Sequence, residues 1–357
     1  MYLVTDELLK ISLKTAFTVK KKLLYWLLTG TIFLQYSPVM AQNSTTTSKS
    51  DIEYDAIYDD PYDINKLWLH FYPMYADGFV TNFNVGYGGQ ANYYLKDKFD
   101  FRLHIRKTYT KGSDFSRING DKNSTVDNSL NVYKHFEGGA TYHIIDKGDA
   151  GESKIVVYTK RYKANKWAST VPEHIAVPSK VRKIAGVRAG GFYWASATNL
   201  NEVLNKQKVY LLDTQGDTLS NSEKIYGNVR SAGIYLGGSI SRIRNVIVKP
   251  KKYDVAVNDV IFTAYGDILF APMLQVEDIM QNRLTYSASP IKTRKIGIRA
   301  GFEGMYNREF SWSYGAEIGY KPSIQTRGFY AMVKVGFAFA SRLQQQRQSY
   351  QVEKAEK

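Results

Sequence analysis

The chain contains no cysteine. That excludes thiol nucleophiles, iron–sulfur clusters, thiolate zinc sites and disulfide frameworks. Proline is scarce, 9 in 357 residues. No HExxH or GxSxG motif occurs, so the usual zinc-protease and serine-hydrolase signals are missing. There is no repeat of 20–50 residues, which argues against a solenoid or propeller. No apolar stripe with a period of 3.6 residues is long enough to announce a helix in the body of the chain. The mean hydropathy of −0.36 argues against a helical membrane bundle. It does not argue against a β-barrel, whose strands are only half apolar.

What is present is basic and rich in tyrosine: 48 Lys and Arg against 33 Asp and Glu, a formal charge of +15, and 28 Tyr. Lys20, Lys21 and Lys22 precede an apolar run from Leu23 to Leu34, and Val39, Met40 and Ala41 follow in a small-x-small pattern. This reads as a secretory signal peptide over residues 1–41, cut after Ala41. The run is too short for a spanning helix, which needs ~20 residues. The stretch ahead of the three lysines is unusual, and a start near Val19 would put them at the terminus. Cleavage removes five basic and two acidic residues and leaves the mature chain at +12. Export makes nucleic acid an unexpected partner. Outer-membrane lipid, anionic glycans or anionic solutes are the expected ones, with a periplasmic protein as a further candidate.

Residues 42–64 are a polar and then acidic leader. Asp51–Asp63 holds six acidic residues in thirteen. This segment reads either as a solvated periplasmic leader or as a plug folded back into a basic lumen. Asp59, Asp60 and Asp63 lack the glycine and spacing of a calcium loop.

Beyond the leader, strand follows strand. In 82–96, Phe83, Val85, Tyr87, Gly89, Ala91, Tyr93 and Leu95 alternate with Asn82, Asn84, Gly86, Gly88, Gln90, Asn92 and Tyr94. In 327–341, Phe329, Ala331, Val333, Val335, Phe337 and Phe339 alternate with Tyr330, Met332, Lys334, Gly336, Ala338 and Ala340. A tilted strand of ~9–11 residues spans a bilayer, apolar side out and small or polar side in. Tyr, Trp and Phe gather towards strand ends, as interfacial girdles do.

The expected fold is therefore all-β, an antiparallel transmembrane β-barrel over residues 65–341, with a polar periplasmic tail at 342–357. The pattern predicts strands at 65–75, 82–96, 98–110, 130–145, 153–162, 181–195, 206–213, 225–243, 256–272, 292–306, 310–321 and 327–341. That is twelve, within a range of ten to fourteen. The weakest is 206–213; placing it in an extracellular hairpin moves the count towards ten. The count of twelve puts long connections at 111–129, 163–180 and 273–291 on one side. It puts short ones at 97, 146–152 and 307–309 on the other.

The MAQ end of the signal peptide, the Tyr-rich alternation, GIRAGFEGMYN near the end and the final GFYAMVKVGFAFA resemble outer-membrane β-barrels of Bacteroidota. The likeness is to porin-like and OmpA-type barrels and runs from about Leu67 to Leu343. It implies an outer-membrane location and a barrel fold. No plug domain of the TonB-dependent kind is recognisable. Many such barrels end on an aromatic residue that the assembly machinery reads, whereas here Phe339 is followed by a polar tail.

The candidate functional residues are the charges expected on inward rows. They are Arg102, Arg106, Arg182, Arg188, Arg299 and Lys334, with Glu137, Asp267, Glu303 and Glu317 as counter-charges. Two arrangements are open. A cationic row in a pore favours anions; alternatively the two signs pair and fill a closed lumen. The inward glycines Gly86, Gly88, Gly297, Gly301, Gly315 and Gly319 suit either. No metal or cofactor is expected, since His135 and His143 share a face but lie eight residues apart. No enzyme is expected: Ser239 and Ser241 have no assignable His or Asp partner, which leaves a lipid-modifying activity as a minor alternative. The function expected is a channel for small anionic or neutral solutes, with a closed structural barrel that anchors or assembles partners at the cell surface, or anchors periplasmic ones, as the alternative.

Overall fold

A computed structural model describes residues 52–341, apart from 80–81, 96–97, 164–166, 220–223, 252 and 326. The signal peptide expected at 1–41, residues 42–51 of the expected leader and the tail expected at 342–357 lie outside the described residues.

The strands are β1 (Tyr54–Asp59), β2 (Leu67–Phe79), β3 (Phe83–Leu95), β4 (Phe99–Thr108), β5 (Lys134–Lys163), β6 (Trp167–Asn199), β7 (Tyr226–Ile243), β8 (Val246–Pro250), β9 (Ala256–Asn258) and β10 (Val260–Val276). They continue with β11 (Ile279–Gln281), β12 (Leu284–Tyr286), β13 (Thr293–Arg294), β14 (Ile296–Tyr306), β15 (Phe310–Tyr320), β16 (Ser323–Ile324) and β17 (Phe329–Ala340). Two short helices, α1 (Phe115–Asn123) and α2 (Asn201–Gln207), sit in connections.

Ten strands close an antiparallel barrel in the order β10, β14, β15, β17, β2, β3, β4, β5, β6, β7. Of the twelve strands expected from sequence, 153–162 and 206–213 are not separate staves. The first continues β5; the second is the end of α2 and a loop whose Leu212 bridges Thr218. Closure follows from the alternation. Outward side chains such as Phe83, Leu236, Ile268, Ile298, Ile318 and Val333 are each 52–62% exposed, a continuous apolar belt. A soluble monomer rarely exposes apolar surface on that scale, whereas lipid covers it. Among the described residues no helix is long and apolar enough to cross a membrane.

The sidedness read from sequence needs one correction. Residues 146–152 are not a turn. β5 and β6 stay paired from Ile145↔Ala185 to Lys163↔Trp167. Beyond Gly148↔Arg182, where the pairing with β7 stops, the pair projects as a ribbon from the end of the barrel where β2 begins and β17 ends, the termini side, so Trp167 to Lys180 of β6 are on that side too. Gly148, Asp149 and Gly151 look like turn residues because they are poor strand formers. Here cross-strand pairing and packing override that preference.

The ribbon does not stand alone. Ile155, Val157, Ile175 and Val177 bury against Val246 and Val248 of β8, which lies between β1 and β9 in a three-stranded sheet. The acidic leader is thus strand β1, and residues 54–59 do not plug the lumen. Its charges serve this lobe: both Asp59 carboxylate oxygens accept the Lys180 amide at 2.9 and 3.1 Å, and Glu53 pairs with Lys251. Removing residues 52–60 uncovers Val246 and Val248 and breaks these bonds. The expected result is faster proteolysis within 146–184 with unchanged heat-modifiable mobility of the barrel. A lobe as resistant as before would show that β1 contributes nothing.

Candidate functional site: the charged lumen

Of the ten charges predicted for the inward rows eight are buried and two, Arg102 and Glu303, are half-buried with side chains 15% and 13% exposed. Nine of them join three clusters inside the barrel; Arg182 lies apart at the termini-side end.

The first cluster centres on Arg299 of β14. Its two Nη groups donate to the two oxygens of Glu137 at 2.5 and 2.7 Å, and its Nε donates to Asp267 at 2.8 Å. Glu317 lies 3.5 Å away, and Asp267 is also 3.5 Å from Arg188. Glu317 accepts from the Tyr265 and Tyr330 hydroxyls at 2.8 and 2.5 Å. The guanidinium of Arg188 lies 4.0 Å from the centre of the Tyr265 ring, and that of Arg299 lies 4.6 Å from the Tyr235 ring. Forked, charge-assisted bonds of this kind are the strong class of hydrogen bond.

The second cluster centres on Glu303. Lys334 approaches at 2.7 Å and Arg102 at 3.1 Å, and the Gln90 amide donates at 3.1 Å. Lys334 also donates to the Gln90 carbonyl oxygen at 2.6 Å. The third was not foreseen. Asp77 receives Arg106 at 3.3 Å, Lys321 at 3.1 Å and the Tyr133 hydroxyl at 2.7 Å. The strand expected from sequence ended at 75, short of Asp77, whereas β2 runs to Phe79. Yet Tyr75, Asp77 and Phe79 alternate correctly, and that was the available signal. Arg182, at the barrel's lower rim, binds Asp146 at 2.5 Å and stacks on Tyr62 at 4.6 Å.

The lumen therefore holds a near balance of signs, with each predicted charge given at least one partner. Small residues make room for this filling. A Cβ on Gly139 or Gly190 would fall 2.1 or 2.6 Å from the Tyr235 hydroxyl oxygen, so the ring that covers Arg299 rests on bare backbone.

Apolar clusters close both mouths. At the termini side, Ile64 of the leader joins Trp68, Tyr94, Ile184, Ile243, Ile261 and Met305. The leader is held across this mouth by Asn245 and Asn307, whose amides donate to the Asp63 carbonyl at 2.9 and 2.8 Å. At the other mouth, Tyr75, Phe79, Tyr133, Tyr330 and Met332 pack together. Beyond them a larger cluster of loop residues, including Leu204 of α2, Leu211 and Ile225, forms a lid with Trp194 and Ile324. Of the apolar residues of 206–213, Leu211 belongs to this lid while Tyr210 and Leu212 are exposed, an alternation that resembles a strand. Asp114 caps α1 and accepts from Arg117, Asn82 and Tyr133 at 3.1, 2.7 and 2.8 Å. Burial pushes its carboxyl above the usual carboxylate range against those donors.

Between the seals a cavity bordered by His70, Arg102, Thr263 and Glu303 has a volume of about 10 Å³, about one water. Ser241 bonds Thr263 at 2.7 Å. Among the described residues no group of three His, Asp or Glu side chains is arranged to hold a metal.

No protein-family model matches the chain, and no curated protein sequence matches it either. Among solved structures it is similar to the P. putida toluene transporter TodX, at 9% identity and a TM-score of 0.25, over 78% of this chain and 90% of that one. It is similar to the Ralstonia pickettii toluene transporter TbuX, at 9% identity and 0.25, over 80% and 91%. It is also similar to the monoaromatic hydrocarbon channel CymD, at 7% identity and 0.23, over 79% and 90%.

Proposed function

We propose that this chain is an outer-membrane barrel of the Bacteroidota kind, exported by the signal peptide at 1–41 and closed at rest. In this reading its role is structural: the barrel seats in outer-membrane lipid and holds the ribbon and three-stranded sheet on the periplasmic side, where a protein partner engages them. It acts without catalysis, metal or nucleic acid. The observation that carries this reading is the filled lumen, in which charges are paired and apolar residues close each end. A ten-stranded barrel is little wider than the eight-stranded size that side chains fill.

The test is planar-bilayer recording with the refolded mature chain. The expected result is no steady current from a barrel that shows heat-modifiable mobility; a sustained current would overturn the closed reading. The second reading is the channel for small anionic or neutral solutes. It is favoured by buried polar atoms that have no protein partner, the Tyr75 hydroxyl, Thr108 Oγ1 and His104 Nε2, since groups of that kind are ordinarily served by water. It requires an anion-selective current that weakens in the Arg102→Gln, Arg106→Gln and Arg299→Gln variants.

A further inference from the structure

The outer wall carries a groove that neither the lumen nor the lobe uses. One cross-strand row, Ile145↔Ala185↔Ile240↔Ala264, runs across β5, β6, β7 and β10. Beside it Gly238 pairs with Gly266, so the wall is thin there. The pairing shifts between His143 and Ile145, a bulge. It turns two successive isoleucines to the outside: Ile144 is 62% exposed and Ile145 49%. With Ile240, at 60%, they wall an indentation of about 440 Å³.

Two residues nearer the termini-side end, on the same face, lies the next row: Lys147↔Lys183↔Arg242. All three are exposed. Like charges directly opposite on neighbouring strands are destabilising. Asp149 bonds Lys183 at 2.8 Å and answers one of the three. Three cations in register at the end of an apolar groove match an amphiphile with an anionic head.

We propose that the groove and the cation row bind one anionic phospholipid from the leaflet on the termini side. An acyl chain lies along Ile144, Ile240 and Gly238, and the phosphate sits among Lys147, Lys183 and Arg242. The inference rests on the barrel's seat in a bilayer and not on whether the lumen conducts. Long cationic side chains reach to any membrane interface. What distinguishes this site is that head and chain contacts are both built into four aligned strands.

The test is native mass spectrometry of the full mature chain extracted from nanodiscs of mixed phosphatidylglycerol and phosphatidylcholine. One phosphatidylglycerol is expected to be retained, about tenfold in preference to phosphatidylcholine. The triple variant Lys147→Gln, Lys183→Gln, Arg242→Gln should lose that preference. Gly238→Leu should lose the lipid with all three cations in place, because its side chain fills the groove. A Cβ there comes no closer than 3.6 Å to the backbone, so the barrel tolerates it. Lys183→Arg should retain the lipid, and heat-modifiable mobility reports folding throughout. Equal retention of both lipids, retention that survives both disabling variants, or displacement by inorganic phosphate alone would overturn the proposal. A folded chain that does not enter nanodiscs would overturn the bilayer seat and the lipid site with it.

Discussion

Arg299→Leu is expected to lower the barrel's unfolding free energy by about 3–5 kcal/mol, the range for breaking a buried ionic group by removing one partner. Arg299 is the shared partner of Glu137, Asp267 and Glu317. Its loss leaves three carboxylates in one closed space, with Arg188 3.5 Å from Asp267 as the remaining cation of that cluster. Arg299→Lys keeps the charge but not the fork that engages both Glu137 oxygens, so an intermediate loss is expected. Glu137→Gln in the leucine background should recover part of the loss, because the two residues touch and their effects do not add. Denaturant titration of the barrel in detergent measures all three. A leucine variant as stable as the parent would mean that the network contributes nothing to holding the barrel shut.

The second large effect belongs to the termini-side seal. Trp68 is fully buried and packs edge-on against Tyr94, with ring centres 5.4 Å apart. Its indole N–H has no hydrogen-bond partner, so what Trp68→Ala removes is packing alone. Loss of a buried tryptophan costs about 3–5 kcal/mol. Tyr94→Ala combined with it should cost less than the sum of the two single losses, since the second truncation enlarges an existing cavity. The same titration gives the energies. Bilayer recording of Trp68→Ala should stay at baseline because the ionic clusters still fill the lumen. A current from this variant alone would mean that the apolar mouth is the whole of the seal.

The barrel was legible because a bilayer imposes a strict period of two on every stave, and the period survives in residues such as Phe329 to Ala340. Ten of the twelve expected strands are staves of the barrel. The lumen charges were legible for the same reason, since Arg299 and Asp267 sit on the polar phase of their strands. What escaped was structure that the membrane does not pattern. The DKGDAGES stretch at 146–153 reads as a turn until its partner strand is known. Val209 and Leu211 alternate like a strand, but Leu211 is buried in a loop lid, where packing sets the pattern. Lys321 falls one residue past β15, and its partner Asp77 lies 244 positions away. The leader's acids read either as solvated or as a plug for a basic lumen, while their partners turned out to be the ribbon and Lys251 in the connection after β8.

The seam between β2 and β17, which pairs Trp68 with Ala340, also sets an order of events. Nearly the whole chain separates the two sides of that seam. Each of the other nine stave pairs can form as its own two strands arrive, but this one waits for the last strand delivered. Until then β2 and the newest strand present unpaired backbone edges, the feature that templates aggregation. Contacts so distant in sequence are also the slowest to form. Ring closure is thus the expected slow step in the life of this protein. A chain halted before residue 329 would retain most of its pairings and still have no barrel.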